Sequence, residues 1–418
     1  MRSSKFSNTY KFLLLLPFIT RIIEESIFPA LKIGGKGITF WAFLVFWFGT
    51  IMYNSGNLLI SLKNRIVYLY LIFIGAAFIT EFLHTNSVYR EASTTFFMFA
   101  AIPLYASWVL KNIQSFKYIV ASFLFYALVH AVNITLNISI FKMLATGDSD
   151  EARATISQKL WFYTNLNGIA TTTGTAAVVC FVIARNVTNK IYKRWLYFLT
   201  AIYMYASAVC VSRAAFLSIG VIMIWMYLKY RPKVKFQYFI PLAVMLLLLD
   251  VGPIQKVTNL FFGRFAEINF NTQGDKVDSR VRVYSNVIKY LPEVYLTGVG
   301  EGNFYGEWGQ KSTFARIGYD EEGNISGMRV SPTHNSFSQI VFYWGVFPLF
   351  IYVLLLITLT KMLPPRSDTS LAAKITTIFF VSTFVLIIFT NNFNYKDFTV
   401  PYGLLLGLYL RGRYKLSN

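Results

Sequence analysis

Apolar runs of membrane length follow one another along most of this chain, and a single long polar segment, residues 251–333, breaks the series. A helix needs about 20 apolar residues to cross a hydrocarbon core. Twelve runs fit by position: 12–31, 38–60, 66–83, 93–110, 117–141, 166–184, 195–211, 214–230, 236–250, 334–360, 375–391 and 399–410. Two of them, 236–250 and 399–410, are short for spans. Tyr, Trp and Phe gather at many run ends, where amphipathic rings suit the water–lipid boundary. A mean hydropathy of +0.50 agrees. The expected fold is an all-α polytopic membrane protein with about 12 transmembrane helices. Helices one to nine fall in 1–250, one large loop with short helices in 251–333, and helices ten to twelve in 334–418.

A formal net charge of +20 is the size seen in nucleic-acid binders, but its distribution points elsewhere. With both termini inside, the inner segments hold 21 of the 39 Lys and Arg, including Lys63, Arg65, Lys190, Lys193 and Arg194, and one acid, Asp368. The other 18 basic residues balance the other 18 acids. The excess is the positive-inside signal of an inner-membrane protein, with the 251–333 loop outside. The basic N-terminus before Leu13–Ile19 imitates a signal peptide, but no small-residue cleavage site follows, so a retained first span is expected. Cys180 and Cys210 should sit at different depths, which predicts no disulfide. No P-loop and no metal-ligand spacing is found; Asp148-Ser-Asp150 reads as a solvated turn.

Within the long loop, Val281, Tyr284, Ile288 and Leu291 have helical spacing, with Asp278 as N-cap and Pro292 as the stop. Gly298-Val-Gly-Glu-Gly-Asn-Phe304 reads as a turn, and 305–330 as an irregular excursion. Ser331 and Pro332 then suit an N-cap and a first helical residue, which would put His334 in the first turn of the tenth span. A helix N-terminus disfavours imidazolium, so His334 would be a neutral base able to take a proton from a hydroxyl.

Arg213 stands in Ser212-Arg-Ala-Ala-Phe216, in the short turn between the seventh and eighth spans. It is either an interfacial anchor or an anion site at the outer face, since guanidinium forks match phosphate oxygens. Arg280 and Arg282 form either a solvated charged face or, for Arg280, which shares a face with Tyr284 and Val287, a contact with the bundle. Of the three histidines, His130 lies within a span and reads as packed, His84 reads as interfacial, and only His334 joins a helix start to the polar loop.

In order and placement these motifs resemble the bacterial O-antigen ligase and O-antigen polymerase superfamily. The matching residues are Arg213 in Ser-Arg-Ala-Ala-Phe, Arg280 with Tyr284, Gly298-Val-Gly-Glu-Gly-Asn, His334-Asn335, and Asn165-Leu-Asn167 before the sixth span. The resemblance implies a GT-C-like helical membrane fold without a metal or other cofactor. It implies an undecaprenyl-diphosphate-linked glycan as donor, and lipid A–core or a second lipid-linked glycan as acceptor. His334 would be catalytic and Arg213 and Arg280 would hold the diphosphate. Asn335, Tyr284, Arg282, Asn165 and Asn167 would support them. Ligase is the first reading and polymerase the alternative. A lipid-linked sugar transporter is a third, since Arg21, Glu24 and Glu25 lie in the first run. Such transporters are expected to show internal repeats, and none is found here.

Overall fold

A computed structural model describes residues 32, 33, 36–38, 41, 65–84, 114–137, 166–210, 212–230, 279–312, 314–319, 325–330, 333, 335–361 and 363–389. The expected spans 12–31, 93–110, 236–250 and 399–410 lie outside these residues, as does 38–60 apart from residues 38 and 41.

Among the described residues, five apolar helices precede the long loop: α1 (Arg65–His84), α2 (Gln114–Asn137), α3 (Leu166–Asn186), α4 (Lys190–Val209) and α5 (Arg213–Tyr230). Each corresponds to an expected span, although α4 begins five residues early. The reason is local: the Asn189 side chain accepts from the N–H groups of Ile191 (2.9 Å) and Tyr192 (3.2 Å), so the helix starts among its basic residues rather than at its first apolar stretch. Beyond the loop come α9 (Ser336–Trp344), α10 (Val346–Lys361) and α11 (Leu371–Phe389).

The expected single span 334–360 is therefore two helices. Gly345, between them, has φ +82°, and a Cβ there would stand 2.2 Å from the Leu296 carbonyl oxygen. Hydropathy averaged over a window cannot register one left-handed residue, which is why the run reads as continuous.

α3 is buried along most of its length and packs against α2, α4, α5 and α11. Gly174 permits this: a Cβ there would lie 2.6 Å from Ile219 Cδ1 on α5. The interior is rich in hydroxyls. Thr175 Oγ1 and Ser382 Oγ are 2.8 Å apart, Ser382 and Ser218 3.4 Å apart, and Ser207 donates to the Ala170 carbonyl at 2.7 Å. The outside is apolar, with Ile79, Phe82, Leu83, Leu136, Ile224, Leu228 and Phe350 exposed. Contiguous apolar faces over a hydroxyl-lined interior suit lipid surroundings rather than water. Among the described residues, Ile119–Asn137 and Leu166–Asn186 are long and apolar enough to cross a membrane, and four shorter apolar helices accompany them. The helical architecture thus fits a polytopic membrane fold.

α3 and α11 run antiparallel: Lys374 at the start of α11 donates to Asn186 at the end of α3 (3.3 Å). The end where α3 and α5 begin and α11 finishes is called the upper end below. Cys180 and Cys210 are separate buried thiols, and the buried His130 ring meets Tyr126 edge-on at 4.6 Å.

The long loop holds α6 (Ser279–Val294), α7 (Glu301–Tyr305) and α8 (Glu307–Lys311). It differs from expectation in three ways. Pro292 does not stop α6, which continues to Val294. Proline has no N–H for the Ile288 carbonyl, but Ile288 is 74% exposed, so that carbonyl is on an outward face. Second, α6 packs through Val283, Val287, Tyr290 and Val294, while Tyr284, Ile288 and Leu291 are exposed. Third, the excursion after residue 305 is ordered into α8 and an antiparallel hairpin. With β1 (Lys32–Ile33) pairing β2 (Lys36–Gly37) across Gly34-Gly35, the hairpin strands are β3 (Ala315–Tyr319) and β4 (Ile325–Val330). Its register runs from Ala315↔Val330 to Tyr319↔Ile325. Short strands on either side of a Gly-containing polar segment are a hairpin signal the broader reading of the loop passes over.

Candidate active site

The site is assembled at the upper end from helix starts. Ser212 precedes α5; its Oγ accepts from Ala215 N–H (3.4 Å) and its carbonyl from Phe216 N–H (3.1 Å), so it caps the helix. The same hydroxyl donates to Asn167 Oδ1 at 2.9 Å. One buried serine thus fastens the start of α5, whose first residue is Arg213, to the start of α3. Two motifs 45 residues apart, Asn165-Leu-Asn167 and Ser212-Arg213, meet through this bond. Arg213 occupies the first turn of a long helix, where unpaired N–H groups and the dipole favour an anion. Asn165 lies outside the described residues.

The second helix start is that of α9. Asn335 is its N-cap, with extended backbone (φ −144°, ψ 127°). Its Oδ1 accepts from Phe337 N–H (2.9 Å) and Ser338 N–H (3.2 Å), and its Nδ2 donates to the Ile388 carbonyl of α11 (2.8 Å). On the other side of residue 334, Thr333 is buried; its N–H and Oγ1 both donate to Gln339 Oε1, or its Oγ1 to the Asn335 carbonyl (2.8, 2.9 and 3.0 Å). This corrects the sequence expectation. The helix starts at Ser336, not near Pro332, so His334 precedes the cap rather than standing in the first turn. An asparagine that accepts two amide protons while gripping a neighbouring helix outcompetes the Ser-Pro signal. His334 itself is outside the described residues; both its neighbours in sequence are held.

α6 places Arg280 and Arg282 at its second and fourth positions and packs against α9. Tyr284 is 37% exposed, away from the packed face. Sequence reasoning placed it there with Arg280 by counting every apolar residue as inward; beside a membrane, an exposed apolar ring is ordinary.

After α6 comes the Gly298–Asn303 segment, expected as a turn. Gly298 (φ +68°) and Gly300 (φ +79°) flank Val299. Val299 and Gly300 N–H groups donate to the Phe342 and Tyr343 carbonyls (both 2.8 Å), and Val346 N–H donates to Tyr295 (2.7 Å). The segment supplies the partners that the carboxyl end of α9 lacks. A Cβ at Gly298 would lie 2.4 Å from the Tyr343 carbonyl oxygen, so the contact needs glycine. Around it Phe304 is buried among Tyr305, Trp308, Phe314, Phe342 and Tyr343, with ring centroids 5.3–6.0 Å away. On the exposed α8, hydrogen bonding and charge from Lys311 hold the Glu307 carboxyl below its ordinary range.

A residue that sequence reasoning missed is Glu81, fully buried near the end of α1. Its Oε2 accepts from Glu301 N–H (2.6 Å) and Trp344 Nε1–H (3.2 Å), and its Oε1 from Gly302 N–H (3.0 Å). One turn on, the His84 ring bonds the Thr297 carbonyl (Nε2, 3.0 Å), and Asn303 Nδ2 donates to the His84 carbonyl (3.0 Å). His84, expected as merely interfacial, is thus a strap on the loop. The missed signal was a lone carboxyl inside an apolar run.

Residues 195–353, from within α4 to within α10, match the family model described as O-Antigen ligase. No curated protein and no solved structure matches the chain. The matched stretch contains Arg213, Arg280, Gly298–Asn303 and His334-Asn335, so the similarity falls on the motifs of the candidate site.

Proposed function

We propose that this protein is an inner-membrane glycosyltransferase that moves a glycan from undecaprenyl diphosphate to an acceptor hydroxyl. The acceptor is lipid A–core, making the reaction O-antigen ligation in lipopolysaccharide biosynthesis. In this reading about twelve spans divide as 1–250 and 334–418 around the loop 251–333, both termini are cytoplasmic, and the upper end faces the periplasm. Support comes from one observation above all. Within the family-matched stretch, the Asn167–Ser212 bond fixes the helix start at Arg213, and Thr333 and Asn335 are pinned on either side of His334.

The chemistry follows from these placements. The acceptor oxygen attacks the anomeric carbon as the bond to the diphosphate oxygen breaks, inverting the configuration. His334 takes the hydroxyl proton. The departing diphosphate gains negative charge, which Arg213 and Arg280 stabilise, the task a metal performs in other transferases. Asn335, Tyr284, Arg282, Asn165 and Asn167 are the supporting residues. Asn335 holds the backbone next to the base, and Asn167 holds the turn before Arg213.

The test is the lipopolysaccharide profile of a deletion strain of the native host, complemented with the wild-type chain, His334→Ala or Arg213→Ala. Loss of core-attached O-antigen with lipid-linked polymer accumulating identifies a ligase. Core carrying single repeat units identifies a polymerase. Full transfer by either variant refutes the roles given to these residues, and a profile indifferent to the deletion returns attention to the transporter.

A further inference from the structure

We infer that Glu81 is a positioning residue for glycan transfer: from the far end of α9 it fixes that helix and its cap Asn335, the residue next in sequence to His334. The inference rests on the proposed function. α9 is only nine residues, about 13 Å long at 1.5 Å per residue. Side-chain hydrogen bonds to two neighbouring helices hold it, one at each end. At its start Asn335 grips the Ile388 carbonyl of α11, and at its end the Trp344 indole donates to Glu81 of α1. A short helix held at both ends has its direction set by both. Removing either hold loosens the direction of the helix and of its cap.

Glu81 also gathers what flanks that end. Its two oxygens take the first N–H groups of α7, at Glu301 and Gly302, while the preceding Val299 and Gly300 bond the last carbonyls of α9. The loop, α1 and α9 therefore meet at a single carboxyl group. Burying a carboxyl is costly, and the three N–H donors offset that cost only while they stay aimed at its oxygens, which ties all three elements to one geometry. Hydrophobic packing alone would join the same elements without fixing their angle. Placing a base to within a fraction of an ångström is a task for directional bonds.

The experiment uses the full chain in lipid nanodiscs, with Glu81→Ala, Glu81→Gln and His334→Ala. Amide exchange is read at residues 301 and 302. Transfer is read as kcat and donor KM, with lipid-linked glycan extracted from the native host and lipid A–core from the same cells. In Glu81→Ala the two amides should exchange about 10- to 100-fold faster while α3 and α4 stay protected. The kcat per folded molecule should fall about 10- to 100-fold, with donor KM within about twofold of wild type. Glu81→Gln keeps one acceptor oxygen and should fall between on both readouts; it carries the test if the alanine variant loses protection throughout α3 and α4. Unchanged exchange at 301 and 302 overturns the anchor. Faster exchange with undiminished kcat, or a loss confined to KM, overturns the positioning role. Wild-type transfer by His334→Ala removes the chemistry, and positioning with it, while the exchange data separately report whether the anchor exists.

Discussion

The helical bundle buries a set of hydroxyls that the segment over its upper end lacks, and that segment is centred instead on a cluster of rings. In the bundle, α3, α5 and α11 turn Thr172, Thr175, Ser218 and Ser382 inward and leave Ile224, Leu228 and Phe384 outside. In the covering segment Phe304, Phe314 and Phe342 are inside, and Glu307, Gln310 and Lys311 are outside. Apolar side chains gain nothing by leaving lipid for a protein interior, so helices there close through small residues and hydroxyls. Where water is the solvent, aromatic burial drives closure. The difference lies in what closes each part: hydroxyl contacts between helices in the bundle, and a cluster of rings around Phe304 in the segment.

The contrast can be broken most severely in the aromatic core. Phe304→Ala should cost the covering segment about 3–5 kcal/mol. Limited proteolysis should then cut within 279–330 while the bundle resists; equal resistance in both parts would show that aromatic burial does not hold the segment. In the bundle the corresponding injury is too much volume. Gly174→Val should destabilise by about 1–3 kcal/mol, because Ile219 and Ser207 already occupy the space. Thermal unfolding in detergent should show it, with the covering segment released only when the bundle melts. At the junction, Asn335→Ala removes a cap and should cost about 1 kcal/mol. Hydrogen exchange should rise first at residues 337 and 338. The smallest effect belongs to the hydroxyl seam, where Ser382→Ala should shift stability by only about 0.6 kcal/mol. A loss several times larger in a reversible unfolding measurement would mean that the seam does more than join helices.

The bundle was legible in sequence where a span coincides with one uninterrupted helix. α1, α3 and α5 start and end within two residues of the runs 66–83, 166–184 and 214–230, since hydropathy and helix length measure the same thing there. It was illegible where conformation turns on a single residue. Gly345 splits the run 334–360, and Asn335 takes the cap expected at Ser331. The motifs of the candidate site were visible, but the bonds between them were not. Nothing in the spacing of Asn167 and Ser212 says that they touch. Glu81 shows the limit best: its partners are separated from it by more than two hundred residues, and no local pattern encodes such a meeting.

That separation has a consequence for biogenesis. A chain made from its amino end delivers Glu81 with α1 and its first partner amide, at Glu301, 220 residues afterwards. The carbonyls at 342 and 343 that complete the junction follow later still. During that interval an acidic side chain must be sheltered by something other than its final partners, by water at the membrane boundary or by the insertion machinery. Closure of the junction is therefore a late, long-range event, slow by the loop it must close. Truncation before Gly345 should leave α1 with an unmet acid, marking unfinished chains for quality control.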